Sequence, residues 1–412
     1  MDRVSRLFSR GVVACICKTV CAAILILLAG CDRSAVVRQP PLTGADPAQV
    51  RKPAAMSTSG SASATTPIQS APAQSDKDKK TEVKKKSVAV VQVFYATDRS
   101  RSAQSDPSKI FGSKRGQLSY GSCEIGIPRD SKPGLNETAA QARANEAPGF
   151  RPTLRKVTPR EYDTYLEQLK GAIAKSAKKS AFVFVHGYNV TFAEAARRTA
   201  RMKYDLGFDG AAIFFSWPSK GRADAYSADE ADVEWAQPDL KEFLKDFATK
   251  TKARNIYLIA HSMGNRALTK AYIYLASERP ELRKVFREVI LVAPDIDSDQ
   301  FKRDIAPALA ASSSHTTLYT SSRDLALKAS NKFQNYPRAG DSGSNLLLFE
   351  GIETIDASNV STGLGGYGYL ADNPSVLADI YHLIRDGKSP AERSGLKTVN
   401  ASSGQYWRFR SR

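Results

Sequence analysis

The sequence predicts an α/β fold, a mostly parallel sheet with helices on both faces. Two features of the pattern carry this reading. From residue 181 onward, short apolar runs alternate with helical stretches, as in successive βαβ units. The runs themselves, such as 255–260 (Asn-Ile-Tyr-Leu-Ile-Ala), are continuous and rich in β-branched and aromatic residues, as strands buried on both faces are. Length agrees: setting aside the N-terminal segments described below leaves roughly 320 of the 412 residues, enough for one large α/β domain.

In chain order, 181–185 reads as a strand, followed by a loop and a helix over 192–205. A strand at 211–216 leads into a helix over 228–250 with an acidic start. The strand 255–260 precedes a helix over 265–276, with apolar Leu268, Ala271, Tyr272 and Leu275 at helical spacing. A strand at 288–293, a short helix near 299–309, strands at 316–320 and 345–355, and a last helix at 374–385 complete the series. The segment 88–134 differs. Its runs 91–97, 118–123 and 124–127 are punctuated by Gly and Pro and read as a short N-terminal antiparallel β extension.

The N-terminus reads as an export signal. Arg3, Arg6, Arg10 and Lys18 precede an apolar run at 20–28, too short to span a bilayer of roughly 30 Å, and a small-residue site follows. Leu28-Ala29-Gly30-Cys31 resembles the bacterial lipobox, which implies cleavage before Cys31 and its acylation; a plain signal peptide with a chance cysteine is the alternative. Residues 31–87 are rich in Pro, Ala, Ser, Thr and Gln and nearly devoid of aromatics, so they cannot bury enough surface to offset their ordering entropy and read as a disordered tether. The expected domains are therefore a signal peptide at 1–30, the tether at 31–87 and the α/β domain at 88–412. The lysine cluster at 77–86 reads as solvated linker or as a contact with anionic headgroups.

Of five cysteines, Cys15, Cys17 and Cys21 fall in the leader, leaving Cys31 and Cys123. With Cys31 lipidated no internal disulfide can form, and no cysteine spacing suggests a zinc site. A net charge of +18 invites a nucleic-acid partner, but no RNP, zinc-finger or helix-turn-helix pattern is present. The export signal also removes the chain from cytoplasmic nucleic acid. A basic exported surface suits membrane lipids or cell-wall polymers better.

The segment Ala260-His261-Ser262-Met263-Gly264 is a variant of the G-x-S-x-G turn, which lifts a serine hydroxyl above the edge of a sheet. Its place between a strand and a helix strengthens it; a tight turn with a helix-capping serine is the alternative. In open α/β sheets reactive groups collect at the carboxyl ends of strands. That rule selects 186–189, 216–218, Ser262, 294–297, 321–324 and the segment after Ile355.

The order His186-Gly187-Tyr188-Asn189, Ser216-Trp217-Pro218, Ala260-His261-Ser262-Met263-Gly264-Asn265 and Ala293-Pro294-Asp295-Ile296-Asp297 resembles the α/β-hydrolase fold. More narrowly, with Phe94-Tyr95-Ala96-Thr97-Asp98-Arg99 and Ser321-Ser322-Arg323-Asp324-Leu325-Ala326-Leu327, it is similar to a largely uncharacterised group of bacterial esterase/lipase-superfamily proteins, many of them lipoproteins. The resemblance covers about residues 90–410 and implies Ser262 as nucleophile, with the N–H groups of Met263 and Tyr188 as oxyanion donors. It implies Asp324 as the acid that holds a histidine. Asp295 and Asp297 compete for that role, although Asp297 reads as a helix cap.

The base is where the sequence departs from this family. In the family a histidine follows the last strand in a pattern like Gly-His-Ser-Tyr; here the place reads Gly366-Tyr367-Gly368-Tyr369, so Tyr367 stands at the histidine position. The chain has four histidines. His315 precedes its strand and belongs at the amino edge of the sheet, His261 adjoins the nucleophile on a tight turn, and His186 has a structural place in the oxyanion loop. His382 is the low-ranked alternative base, since nine positions beyond Asn373 it lies about 13 Å along the last helix. Two functional classes follow. One is a lipid-anchored serine hydrolase acting on an ester- or acyl-containing small molecule or lipid, without a cofactor. The other is a degenerate hydrolase fold serving as a binding or scaffolding module at the bacterial cell envelope.

Overall fold

The computed structural model describes residues 88–128, 152–312, 315–360 and 373–411. Eleven strands form one sheet in the order β10-β11-β9-β8-β7-β6-β4-β5-β1-β2-β3. Its centre is β4 (Ser180–Val185), β5 (Ala211–Ser216), β6 (Asn255–His261), β7 (Phe286–Val292) and β8 (Thr316–Thr320), parallel throughout. The parallel run continues through β9 (Glu353–Asp356) to β11 (Gly404–Phe409) on one side, and to β1 (Val88–Arg101) on the other. Antiparallel strands close both edges. The N-terminal extension adds β2 (Phe111–Pro128) and β3 (Thr153–Arg160), and the C-terminal hairpin adds β10 (Leu396–Ala401).

The period of two along each strand divides the core. Val183, Ile213, Phe215, Leu258 and Leu291 face one layer, packed by the helices Tyr162–Ala174, Gln237–Lys250 and Gly264–Glu278. Phe182, Phe184, Phe214, Ile259 and Ile290 face the other, packed by Phe192–Asp205 and Pro374–Tyr381. Phe192–Asp205 forms over the expected span because Thr191 and Glu194 close a reciprocal capping box at its start.

Elsewhere the structure corrects element boundaries. The single helix expected over 228–250 is two, Tyr226–Trp235 and Gln237–Lys250, because Ala236 closes the first and Pro238, with no N–H to give, fits only in the first turn of the second. The strand expected over 345–355 shrinks to Glu353–Asp356. The residues before it turn at Gly343–Asn345 and again at Gly351, whose φ is +83°. The two runs at 118–127 are one long strand, β2. Among the described residues no helix is long and apolar enough to cross a membrane.

Candidate active site

Ser262 stands at the carboxyl end of β6, on the turn into the helix Gly264–Glu278. Its φ is +51°, a left-handed conformation that costs a residue with a Cβ about 1–3 kcal/mol. Backbone bonds impose it. The Ser262 N–H donates to the Val292 carbonyl at 3.0 Å, and the Ser262 carbonyl accepts from the N–H of Asn265 at 3.1 Å and of Asp295 at 3.2 Å. The Asn265 amide adds bonds to the carbonyls of Ser262 (2.9 Å) and Val292 (3.3 Å).

Two glycines make the close packing possible. A Cβ on Gly264 would fall 2.3 Å from the His186 carbonyl oxygen, and one on Gly187 would fall 3.0 Å from the Ser262 Cβ. Ser262 itself is half-buried, and no hydrogen bond among the described residues reaches its hydroxyl.

The loop after β4 supplies the facing wall. His186 is fully buried and stacks on Trp217 with ring centroids 4.9 Å apart. Its Nδ1 lies 2.9 Å from the Gly187 carbonyl, and its Nε2 lies 3.2 Å from Ser216 Oγ and 3.4 Å from Arg99 Nη2. A carbonyl only accepts, so Nδ1 carries the proton and Nε2 accepts. Burial, and then the Arg99 charge, hold the ring well below the usual histidine range and so keep it neutral. In a trans peptide the carbonyl and N–H point in opposite directions. Turning the Gly187 carbonyl toward His186 therefore directs the Tyr188 N–H away from that ring. Among the described residues, neither the Tyr188 N–H nor the Met263 N–H is taken up by another protein group.

Arg99 was matched by the sequence resemblance but given no role, and the structure supplies one. It is buried, donating Nε to Ser216 Oγ (2.8 Å) and its other nitrogens to the carbonyls of Gly112 (3.0 Å), Ser219 (2.9 Å) and Val190 (2.8 Å). It thus bolts β1 and β2 to the loops after β4 and β5; burial brings its pKa down to about 10. Its neighbour Asp98 is fully buried with neither carboxyl oxygen hydrogen-bonded among the described residues, and burial pushes it up to about 8.

The carboxylates fall into distinct places. Asp324 follows β8 and caps the helix Leu325–Gln334, its Oδ1 accepting from the N–H groups of Ala326 (3.0 Å) and Leu327 (3.1 Å). Burial raises its pKa against those two bonds. No hydrogen bond among the described residues reaches its Oδ2. Asp297 caps the turn at Ser298–Gln300. Asp295 is held by Tyr226 and Ser330, each at 2.6 Å, and by the guanidinium groups of Arg266 and Arg338. A cleft of about 220 Å³ beside it is lined by Glu230, Arg266, Ile296 and Arg338, and Ser262 is not part of its wall.

None of the four histidines donates to or accepts from Ser262. His261 is buried beside it, and burial lowers its pKa well below the usual value. His315 sits before β8, between Glu288 (2.5 Å) and Glu353 (2.7 Å), at the amino edge of the sheet. His382 bonds Asp386 at 3.0 Å in a turn held by Tyr257 and Lys178 near the amino ends of β6 and β4, the edge opposite Ser262. Tyr367 and Cys31 lie outside the described residues.

Distant likenesses to solved structures accompany this geometry. Aspergillus fumigatus lipase B shares 17% identity over 48% of this chain and 34% of its own, with a TM-score of 0.20. The chain thus spans about a third of that lipase. A Rhizomucor miehei esterase shares 11% over 73% and 85%, with a TM-score of 0.31, and esterase Est22 shares 10% over 72% and 80%, with a TM-score of 0.30. None of the curated proteins matches the chain. The family assignment rests instead on a family model, described as alpha/beta hydrolase of unknown function (DUF900), which matches residues 162–386, more than half of the chain and the whole span from the first helix past Ser262 to the last. The chain belongs to that α/β-hydrolase family.

Proposed function

We propose that the protein is a serine hydrolase of ester or acyl bonds, with Ser262 as nucleophile and the N–H groups of Tyr188 and Met263 as oxyanion donors. One observation carries this reading: a serine held at a φ of +51° on the carboxyl edge of the sheet, beside two N–H groups left open. A structural turn needs neither the strain nor the open donors. The Ser262 oxygen attacks a substrate carbonyl and gives up its proton to water, and the C–O double bond opens to an oxyanion received by the two N–H groups. Collapse breaks the ester bond, and the alkoxide leaves as the alcohol with a proton from water. A second water hydrolyses the acyl-serine to the acid and free Ser262. Asp324, with its Oδ2 open, is the acid available to an imidazole. Tyr367, at the family's histidine position, supplies none, so turnover is slow. Cys31, acylated, anchors the protein at the bacterial cell envelope.

A second reading is favoured by Tyr367 alone, a degenerate hydrolase fold kept as a binding or scaffolding module. Labelling of the full chain with a fluorophosphonate separates the two. The hydrolase labels and Ser262→Ala does not; absence of label from the wild type, or a label that persists in Ser262→Ala, overturns the assignment of the nucleophile.

A further inference from the structure

We infer that Asp229 is a positioning residue for the oxyanion hole, an inference that rests on Ser262 and Tyr188 acting as proposed above. Asp229 is fully buried in the helix Tyr226–Trp235, outside every motif the sequence offered. Its carboxylate gathers three donors from two loops. Oδ2 accepts from the Asn189 N–H at 3.1 Å and from Ser219 Oγ at 2.6 Å, and Oδ1 accepts from the Lys220 N–H at 2.7 Å. Ser219 Oγ in turn accepts from the Val190 N–H at 3.1 Å.

The consequence follows from where those bonds fall. Asn189 is itself left-handed, at a φ of +56°, and its N–H belongs to the peptide that follows Tyr188. The peptide before Tyr188 is held by His186 through the Gly187 carbonyl. Tyr188 is therefore suspended between two clamped peptides, and its N–H direction is set by both. His186 fixes one side with a neutral ring; Asp229 fixes the other with a carboxylate, whose hydrogen bonds are roughly twice as strong as neutral ones. Its neighbours make the carboxylate necessary. Three donors converge on it, and an amide in its place would present an N–H to at least one of them.

The Asp229 side chain does not touch the place of a substrate carbonyl; it acts through Tyr188. Removing an oxyanion donor outright costs about 10²–10³ in rate, so loosening one should cost about tenfold or more. The test is Asp229→Asn in the full chain, read in three ways: the rate of fluorophosphonate labelling, kcat and KM for a p-nitrophenyl ester, and the same constants for the matching thionoester. Sulfur is a weak acceptor, so a thionoester draws little on the oxyanion donors.

The inference expects the labelling rate and the ester kcat to fall at least tenfold, with KM and the thionoester rate changing little and circular dichroism unaltered. Equal labelling of wild type and variant overturns it, as does an equal loss on ester and thionoester, which would be the mark of general disorder. A wild type that does not label overturns the reading of Ser262 and this inference with it, a result distinguishable from the first because Asp229→Asn plays no part in it. Where Asp229→Asn does not fold, Ser219→Ala, which removes the shortest of the three bonds, is read in the same way.

Discussion

Gly187, in the loop after β4, and Ser262, on the turn after β6, are packed against each other: a Cβ on Gly187 would lie 3.0 Å from the Ser262 Cβ and 3.0 Å from His261 Nδ1. The loop that presents the Tyr188 N–H and the turn that presents the Ser262 hydroxyl are thus set against each other by a missing methyl group. The separation of Ser262 from the loop that carries the Tyr188 N–H is fixed by packing. Gly187→Ala should push the two apart. Overpacking of this kind costs about 1–3 kcal/mol, and the labelling rate of Ser262 should fall by about tenfold or more, since catalytic geometry tolerates little displacement. Thermal unfolding and labelling kinetics on the same preparation check both; an unchanged labelling rate would show that the loop adjusts freely.

Strain at Ser262 gives a second expectation. Its left-handed φ suits glycine, and a Cβ in that conformation costs about 1–2 kcal/mol. Ser262→Gly and Ser262→Ala should both be inactive, but the glycine variant should be the more stable by about 1 kcal/mol. Glycine normally loses to alanine, through the entropy of the unfolded chain. A more stable alanine variant in urea unfolding would mean that the turn relaxes once the hydroxyl is gone.

Above neutrality, the pH dependence of stability should be set away from Ser262. His315 lies between two carboxylates that raise its pKa to about 10, the Glu288 bond first and the Glu353 bond next. A raised folded pKa contributes stability that is whole below the unfolded value near 6.5 and is lost as pH climbs toward 10. Asp98, raised by burial to about 8, acts in the same direction over the interval from its usual value of 3.8 upward. Stability should therefore fall as pH rises through neutrality into the alkaline range. His315→Gln should flatten the upper part of that fall while costing about 1–3 kcal/mol at pH 6, because it leaves the buried Glu288 without its charged partner. Asp98→Asn should flatten the lower part. The buried His186 and His261, whose pKa values are lowered, act in the opposite direction below about pH 6.5. Urea midpoints measured from pH 7 to 10 therefore decide this, and a wild-type profile that rises with pH over that interval would contradict both assignments.

The predicted membrane anchor is tested by Cys31→Ser. The variant should leave the membrane fraction for the soluble one, since the proposed anchor is the acyl chains on that cysteine. Full retention would place the anchor elsewhere.

The strands were legible because burial on both faces writes continuous apolar runs; 211–216 and 316–320 coincide with β5 and β8. The turn at Ser262 was legible because its small residues are a steric necessity, which the 2.3 Å approach at Gly264 makes plain. What could not be read was the bracing. Arg99 and Asp229 are charged residues whose partners are backbone groups in loops far away in sequence, and a backbone carbonyl or N–H leaves no trace in residue identity. Asp324 and Asp297 show the same limit from the other side: both cap helices through the same pair of amide bonds. Each leaves its Oδ2 without a hydrogen bond among the described residues, so the capping bonds do not choose between them, and the resemblance alone favours Asp324 as the triad acid. The edge strands β3 and β10, and β11 next to β10, were missed since their half-exposed patterns mix polar and apolar residues.

Tyr367 separates the two functional classes most sharply. A triad enzyme stripped of its triad residues retains about 10³–10⁴ over water from its oxyanion donors and binding, so the wild type should hydrolyse short activated esters slowly and only through Ser262. A base in position contributes about 10²–10⁴ more. Tyr367→His, best combined with Gly368→Ser to restore the family's sequence, should therefore raise kcat by at least a hundredfold. The gain should depend on Asp324, because an imidazole needs a carboxylate to hold its tautomer, and Tyr367→His with Asp324→Asn should lose most of it. If His382→Ala abolishes wild-type activity instead, the base comes from a residue whose ring bonds Asp386 at the opposite edge, which would require the last helix to sit differently. If the double substitution folds and gains nothing, a missing base is not what limits the site, and the binding-module reading displaces the enzyme.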